Sequence, residues 1–308
     1  MRDTFVKTLL EEARRDPNII LITGDLGYGV LDEFAKELPG QFLNSGVNEQ
    51  AMMGLAAGYA STGKRVFVYS IGNFPTLRCL EQIRNDVCLM NNPVVVVSVG
   101  AGYAYGSQGY THHALEDIAI MRALPNMTVV APCDADEMNR LMMSTVDWPH
   151  PMYIRLGKGG DKVVSKEEFG FELGKAIQMR SGIDGVFVTT GVMTQLALDS
   201  ADLLKEKGID VGVVHVHTLK PFDAEGVIEA IERVKSVVTV EEHIVNGGLG
   251  TALLESCSEQ RPDLLGKIAR IGISDKFATE YGSQNSLLKH WGITSDKLVN
   301  AMMKKIRG

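Results

Sequence analysis

The sequence predicts two consecutive parallel-sheet α/β domains, and three observations carry that expectation. Short β-branched runs alternate with helical periods along the chain, the pattern of repeated βαβ units. The strand-like runs are apolar almost throughout, as in Val94–Val99, which suits strands covered by helices on both faces. The alternation lapses in the polar, glycine-containing stretch Asp161–Glu168 and then restarts. At 308 residues the chain is about twice the usual domain size. The expected domains are 1–165 and 170–308.

In the first domain, Ile19–Thr23, Val66–Tyr69, Val94–Val99 and Thr128–Ala131 read as buried strands. Thr4–Arg15, Glu49–Thr62, Leu77–Met90 and Asp134–Thr145 read as helices. Asp134 with Glu137 three residues on is the pattern of a capped helix start. The second domain reads as strands Gly185–Thr190, Val211–His215, Val237–Glu241 and Ile268–Ile273. Its helices fall at Thr194–Lys207, Ala224–Val234, Gly248–Gln260, Ser283–Trp291 and Ser295–Arg307.

A hydrophobic content of 45% with 22% charged residues is that of a globular protein with a real core. The net charge of −7 argues against a nucleic-acid backbone and against a basic membrane-surface role. Cys79, Cys88, Cys133 and Cys257 are widely spaced and form no CxxC pair, which points to reduced thiols. The N-terminus runs into an amphipathic stretch without a signal-peptide core, and the apolar runs are too short to span a bilayer. A soluble, cytoplasmic protein is expected.

The most informative segment is Asn44–Gly58. Glu49 stands at the start of a helix, where the helix dipole favours a carboxylate. The helix behind it carries Ala51, Gly54, Ala57 and Gly58. Its glycines lower helix propensity, and a small-residue face suits a very close approach by another backbone. A carboxylate at the mouth of such an interface is desolvated, as a proton-relay acid requires. From the residues alone, both a dipole-stabilising role and a proton-relay role stand.

The string Gly46-Val47-Asn48-Glu49-Gln50-Ala51 through Val68 resembles the pyrimidine-binding domain of the transketolase and deoxyxylulose-phosphate synthase family. So do the turn Thr23–Gly27, the loop Gly109-Tyr110-Thr111-His112-His113, and the segments Arg122–Met127 and Ala131–Asp134. Val240–His243, Gly247–Gly250, Ile273–Phe277 and Tyr281–Ser283 resemble the family's C-terminal domain. The resemblance covers essentially the whole chain. It implies thiamine diphosphate as cofactor, with Glu49 bonding N1′ of the aminopyrimidine and moving a proton there, so that the cofactor's chemistry is tuned by the protein.

The resemblance also places the remaining candidates. His112 would face substrate hydroxyls, while His113 stands where glutamine is usual and points elsewhere. Gln108 replaces an aspartate that reads hydroxyl stereochemistry; an amide both donates and accepts, so the preferred sugar can differ. Arg155 resembles an arginine that holds the substrate's phosphate, for which a guanidinium is well shaped; a plain salt bridge is the competing reading. Phe74 is the candidate for stacking on the aminopyrimidine, against an ordinary core role. Asp25 lines the cofactor or caps a turn. Gly100–Gly102 occupies the place of a further phosphate-binding histidine.

Other motifs are declined. Gly100, Gly102 and Gly106 have the wrong spacing for a dinucleotide fingerprint. Gly157–Gly160 lacks the features of a P-loop. His215 and His217, on one strand face, suggest a metal pair, but no third ligand is nearby and ordinary packing or an interface role is the reading preferred. Cys133 has no evident base and reads as a buried structural thiol.

The family's Gly-Asp-Gly followed by Asn, which holds Mg2+ and the diphosphate, has no counterpart: Gly24-Asp25 is followed by Leu26. The chain starts where the pyrimidine domain would start. The expectation is therefore a separate N-terminal subunit carrying that motif and the Mg2+ ligands, an α2β2 assembly, and sugar or sugar-phosphate substrates. The activity expected is transfer of a two-carbon ketol unit. Alternatives are a deoxyxylulose-phosphate-synthase-like or other α-keto acid carboligase, and a non-catalytic regulatory β-like partner.

Overall fold

A computed structural model describes residues 1–146 and 148–307. The first half builds α1 (Arg2–Arg15), β1 (Ile19–Thr23), α2 (Asp32–Glu37), β2 (Phe42–Asn44), α3 (Glu49–Ser61) and β3 (Arg65–Ile71). These are followed by α4 (Leu80–Leu89), β4 (Val94–Val99), α5 (Asp117–Ala123), β5 (Thr128–Val130), α6 (Ala135–Thr145) and β6 (Met152–Leu156). The second half adds β7 (Ile177–Arg180), β8 (Gly185–Thr189), α7 (Met193–Lys205), β9 (Val211–His215), β10 (Thr218–Lys220), α8 (Ala224–Glu232) and β11 (Ser236–Ile244). It closes with α9 (Leu249–Gln260), β12 (Ile268–Ile273), α10 (Gln284–His290) and α11 (Ser295–Arg307).

Two mixed sheets result, each parallel except at one edge strand. The first has the order β10-β5-β6-β4-β3-β1-β2, with β10 antiparallel to β5. The second has the order β12-β11-β8-β9-β7, with β7 antiparallel to β9. β1, β4, β8 and β9 are buried at every residue, as unbroken apolar runs require when helices cover both faces. β10 crosses over from the second half to complete the first sheet. One apolar cluster runs through both halves, from Ile20, Met52 and Val96 to Val188, Val214 and Leu253. Among the described residues no helix is long and apolar enough to cross a membrane.

Several boundaries differ from the sequence expectation. The helix expected over Leu77–Met90 begins only at Leu80 and is π-wound from Ile83 to Leu89. Residues 73–77 turn instead, with the Thr76 and Leu77 N–H groups donating to the Asn73 carbonyl, and Pro75 within the turn delays the helix. α2, β2, α5, β6, β7 and β10 were not expected. All have at most seven residues, too short for a periodic signal, and β6 also follows the Trp-Pro-His-Pro run that masks it.

Candidate functional site

The site grows from the C-terminal ends of β1, β3 and β4, where open α/β sheets leave a crevice. β1 is followed by Gly24, whose α-hydrogen faces Glu49 and Met52: an added Cβ would lie 3.9 Å from Glu49 Cγ and 3.5 Å from Met52 Sδ. Asn48 caps α3, its side chain accepting from the Ala51 N–H. Glu49 is thereby the first helical residue, only 5% exposed although its neighbours Val47, Asn48 and Gln50 are more open to solvent.

Arg78, which no sequence motif singles out, ties the site together. Its Nη1 donates to Glu49 Oε1 at 3.0 Å. Its guanidinium carbon lies 3.9 Å from the centroid of Phe74, a cation–π contact. Phe74 in turn meets the His112 ring edge-on, with centroids 5.1 Å apart. Glu49, Arg78, Phe74 and His112 therefore form one contiguous group. Desolvation, with the Arg78 charge second, holds the His112 imidazole below its ordinary pKa, so it is neutral at pH 7 and able to accept a proton. The turn that delays α4 is what presents Phe74 and Arg78; no spacing rule marks such a turn.

His112 and Gln108 sit in two short 3-10 turns, Gly106–Gln108 and Tyr110–His112, joined by Gly109 at φ +81°. Tyr281 from the second half packs so closely on Gly109 that an added Cβ would lie 2.3 Å from its ring. Gly109 is thus fixed both by conformation and by contact. Gln108 is exposed at this loop. His113 is buried, edge-on to Tyr103 at 5.0 Å, and turned away from the group.

Two candidates are placed differently. Arg155 is 4% exposed, and its Nε and Nη2 donate inside the protein. Nε reaches Asp117 Oδ2 at 2.7 Å, and Nη2 reaches the Ala114 and Glu242 carbonyls at 2.6 and 2.9 Å. The expected phosphate contact is therefore withdrawn: this arginine locks β6 to β11, and its partner Asp117 lies on a helix that the sequence did not show. Asp25 is exposed, with its carboxylate taken by Tyr28 Oη at 2.6 Å and Asn44 Nδ2 at 3.1 Å; these bonds hold its pKa below the usual carboxylate value. It braces the turn after β1, at φ +57°. On α3, Ala51, Gly54 and Gly58 are exposed as expected of an open small-residue face, but Ala57 is buried.

The transketolase pyrimidine-binding domain family matches residues 1–160, and the transketolase C-terminal domain family matches residues 174–298. The chain belongs to the transketolase family. Along its length it is 37% identical to an apulose-4-phosphate transketolase subunit of Phocaeicola vulgatus, covering 99% of this chain and 97% of that one. It is 33% identical to the 1-deoxy-D-xylulose-5-phosphate synthase of Caldanaerobacter subterraneus, where the match covers 99% of this chain and 49% of the relative. Among solved structures, a split gene transketolase, described as an inactive beta4 tetramer, superposes with a TM-score of 0.90 at 35% identity over 99% of this chain and 98% of that one. This transketolase-family chain thus matches subunits of split transketolases from end to end, and about half of the longer synthase.

The group fits the aminopyrimidine half of thiamine diphosphate by its chemistry. A shielded carboxylate is joined through Arg78 to an aromatic ring and a histidine, and Glu49 and Arg78 line a cleft with Val47, Asn48 and Gln50.

Proposed function

We propose that this chain is the β subunit of a split transketolase, completing a thiamine diphosphate site with an α subunit that supplies the diphosphate and Mg2+ ligands. The pyrimidine-binding unit is assigned to 1–165 and the C-terminal unit to 170–308. The observation that carries the proposal is the assembly of Glu49, Arg78, Phe74 and His112 at one edge of the chain. Further along the two helices that begin at this group, Leu55 and Tyr59 of α3 and Leu89 and Met90 at the end of α4 are exposed apolar residues, as a surface awaiting a partner requires.

Bound thiamine diphosphate supplies the nucleophilic carbon that takes up a two-carbon ketol unit. Glu49 holds and exchanges the proton at the pyrimidine ring nitrogen. Arg78 keeps the Glu49 carboxylate oriented and covers one face of Phe74, which offers its ring to the cofactor. His112, neutral at pH 7, accepts a hydrogen bond or a proton from a substrate hydroxyl. Gln108 sits at the same loop as a neutral reader of the sugar; Asp25 acts through the turn it braces.

Glu49→Gln is isosteric and should leave the reconstituted complex assembled, with ketol transfer reduced by about 10²–10⁴-fold. Hydrogen–deuterium exchange at C2 of the bound cofactor should fall in parallel. Exchange at the wild-type rate would show Glu49 to be only a helix-start residue. The chain purified without its partner should show no ketol transfer; turnover by it alone would remove the split-enzyme reading. A second reading, an α-keto acid carboligase, draws on the 33% identity to a deoxyxylulose-phosphate synthase. Ketose donors assayed against pyruvate in the complex separate the two.

A further inference from the structure

The start of α6 and the end of β9 bring three different metal-binding side chains together outside the group around Glu49. Cys133 Sγ, a Glu137 carboxylate oxygen and a His215 ring nitrogen all lie within 4.8 Å of one another, and all three residues are buried. Cys133 and Glu137 come from the first half and His215 from the end of β9. Along the sequence His215 has only His217 beside it as a further ligand; the fold supplies Cys133 and Glu137 instead. Glu137 Oε2 accepts the Cys133 N–H at 2.6 Å and faces His215 Nε2 at 2.8 Å. Glu137 Oε1 is fully buried and has no hydrogen-bond partner. Buried carboxylate oxygens are ordinarily satisfied.

We propose that Cys133, Glu137 and His215 form a Zn2+ site that joins the two halves of the chain. A thiolate, a carboxylate and a neutral imidazole carry two negative charges, so a divalent cation leaves the buried unit neutral. Mixed sulfur, nitrogen and oxygen donors suit zinc and not magnesium. Thr194 Oγ1 lies 2.8 Å from His215 Nδ1; with Zn2+ on Nε2, Nδ1 carries the proton and donates to this hydroxyl, the outer contact that metal-binding histidines ordinarily have. Cys133 also lines a cleft of about 530 Å³ between the halves, with Asp161, Lys162 and Gln195. Of the three ligands only Cys133 reaches this cleft, and the ion would enter past it. Loading forms the Zn–S bond and releases the Cys133 thiol proton, with any proton held between His215 and Glu137, to solvent; no electrons are transferred.

The alternative is a Glu137–His215 ion pair with an inert thiol beside it. The full chain, stripped with chelator and titrated with Co2+, distinguishes them. The proposal expects a thiolate-to-Co2+ charge-transfer band with tetrahedral d–d bands, saturating at about one Co2+ per chain and displaced by Zn2+. Cys133→Ser should abolish the charge-transfer band while Cys79, Cys88 and Cys257 remain. Should that variant misfold, His215→Gln serves in its place and should weaken Co2+ binding at least tenfold. A wild-type chain without the band, or a band of full intensity in a folded variant, overturns the site.

Discussion

At the scale of single residues, the site depends on how one arginine is shared. Arg78 is half exposed, yet it bonds a carboxylate that is almost fully shielded. An exposed ion pair contributes little to stability, so its role here is positional. Its charge also helps to hold the His112 pKa down, after burial itself. Arg78→Ala should therefore raise the His112 pKa toward the ordinary histidine value without unfolding the chain, as followed by NMR titration of the ring protons. An unmoved titration would show that burial alone sets it. Of the site residues, Glu49, Phe74 and His112 were legible because each could be set against the family's pattern. Arg78 was not, because Pro75 marks a turn but not the backbone bonds to Asn73 that close it and aim Arg78 back at Glu49.

At the scale of elements, β11 carries an unusual burden for a central strand. Glu241 and Glu242 are both buried. Glu241 accepts from the Leu249 and Gly250 N–H groups at the start of α9, at 2.7 and 2.9 Å. Glu242 accepts from the Tyr103 N–H and Gln284 Nε2, both at 2.8 Å. Burial pushes both carboxyls up to about 7, against the opposing pull of these bonds and of Arg155. Because the folded pKa lies above the unfolded one, the stability Glu242 contributes is fully present below about 4.5 and is lost as pH rises through about 7. Glu242→Gln keeps an acceptor for Tyr103 but cannot ionise. Relative to wild type it should gain stability as pH is raised from about 5 to about 8, read as a difference in urea midpoints. A constant difference across that range would place the titration elsewhere.

At the scale of the molecule, the two sheets are not independent beads. β10 returns to the first sheet, one apolar cluster spans both halves, and Arg155 of β6 donates to the Glu242 carbonyl of β11. A fragment ending at residue 170 would lose β10 from the edge beside β5 and uncover the Val129–Ala131 side of that cluster. It should be aggregation-prone or loosely folded, with hydrogen exchange in β5 and β6 far faster than in the full chain. A fragment with native protection there would show that the first half folds alone. Asp117→Ala, which leaves the Arg155 charge buried without its partner, should cost about 3–5 kcal/mol, measured by chemical denaturation.

What the sequence determined by itself was the class of fold, most strands and helices longer than a few residues, the capped start of α6, and the family through Glu49 and the loop of His112. These are local: apolar periodicity, capping chemistry and contiguous motifs are written along the chain. What only the tertiary structure decided was pairing at a distance. It turned Arg155 from a phosphate ligand into an internal lock, brought Arg78 onto Glu49 and Phe74, and set His215 against Cys133 and Glu137. It also handed β10 to the other sheet. Each depends on which polar groups meet once water is excluded, and a buried charge takes its role from its partner, which can lie far away along the chain.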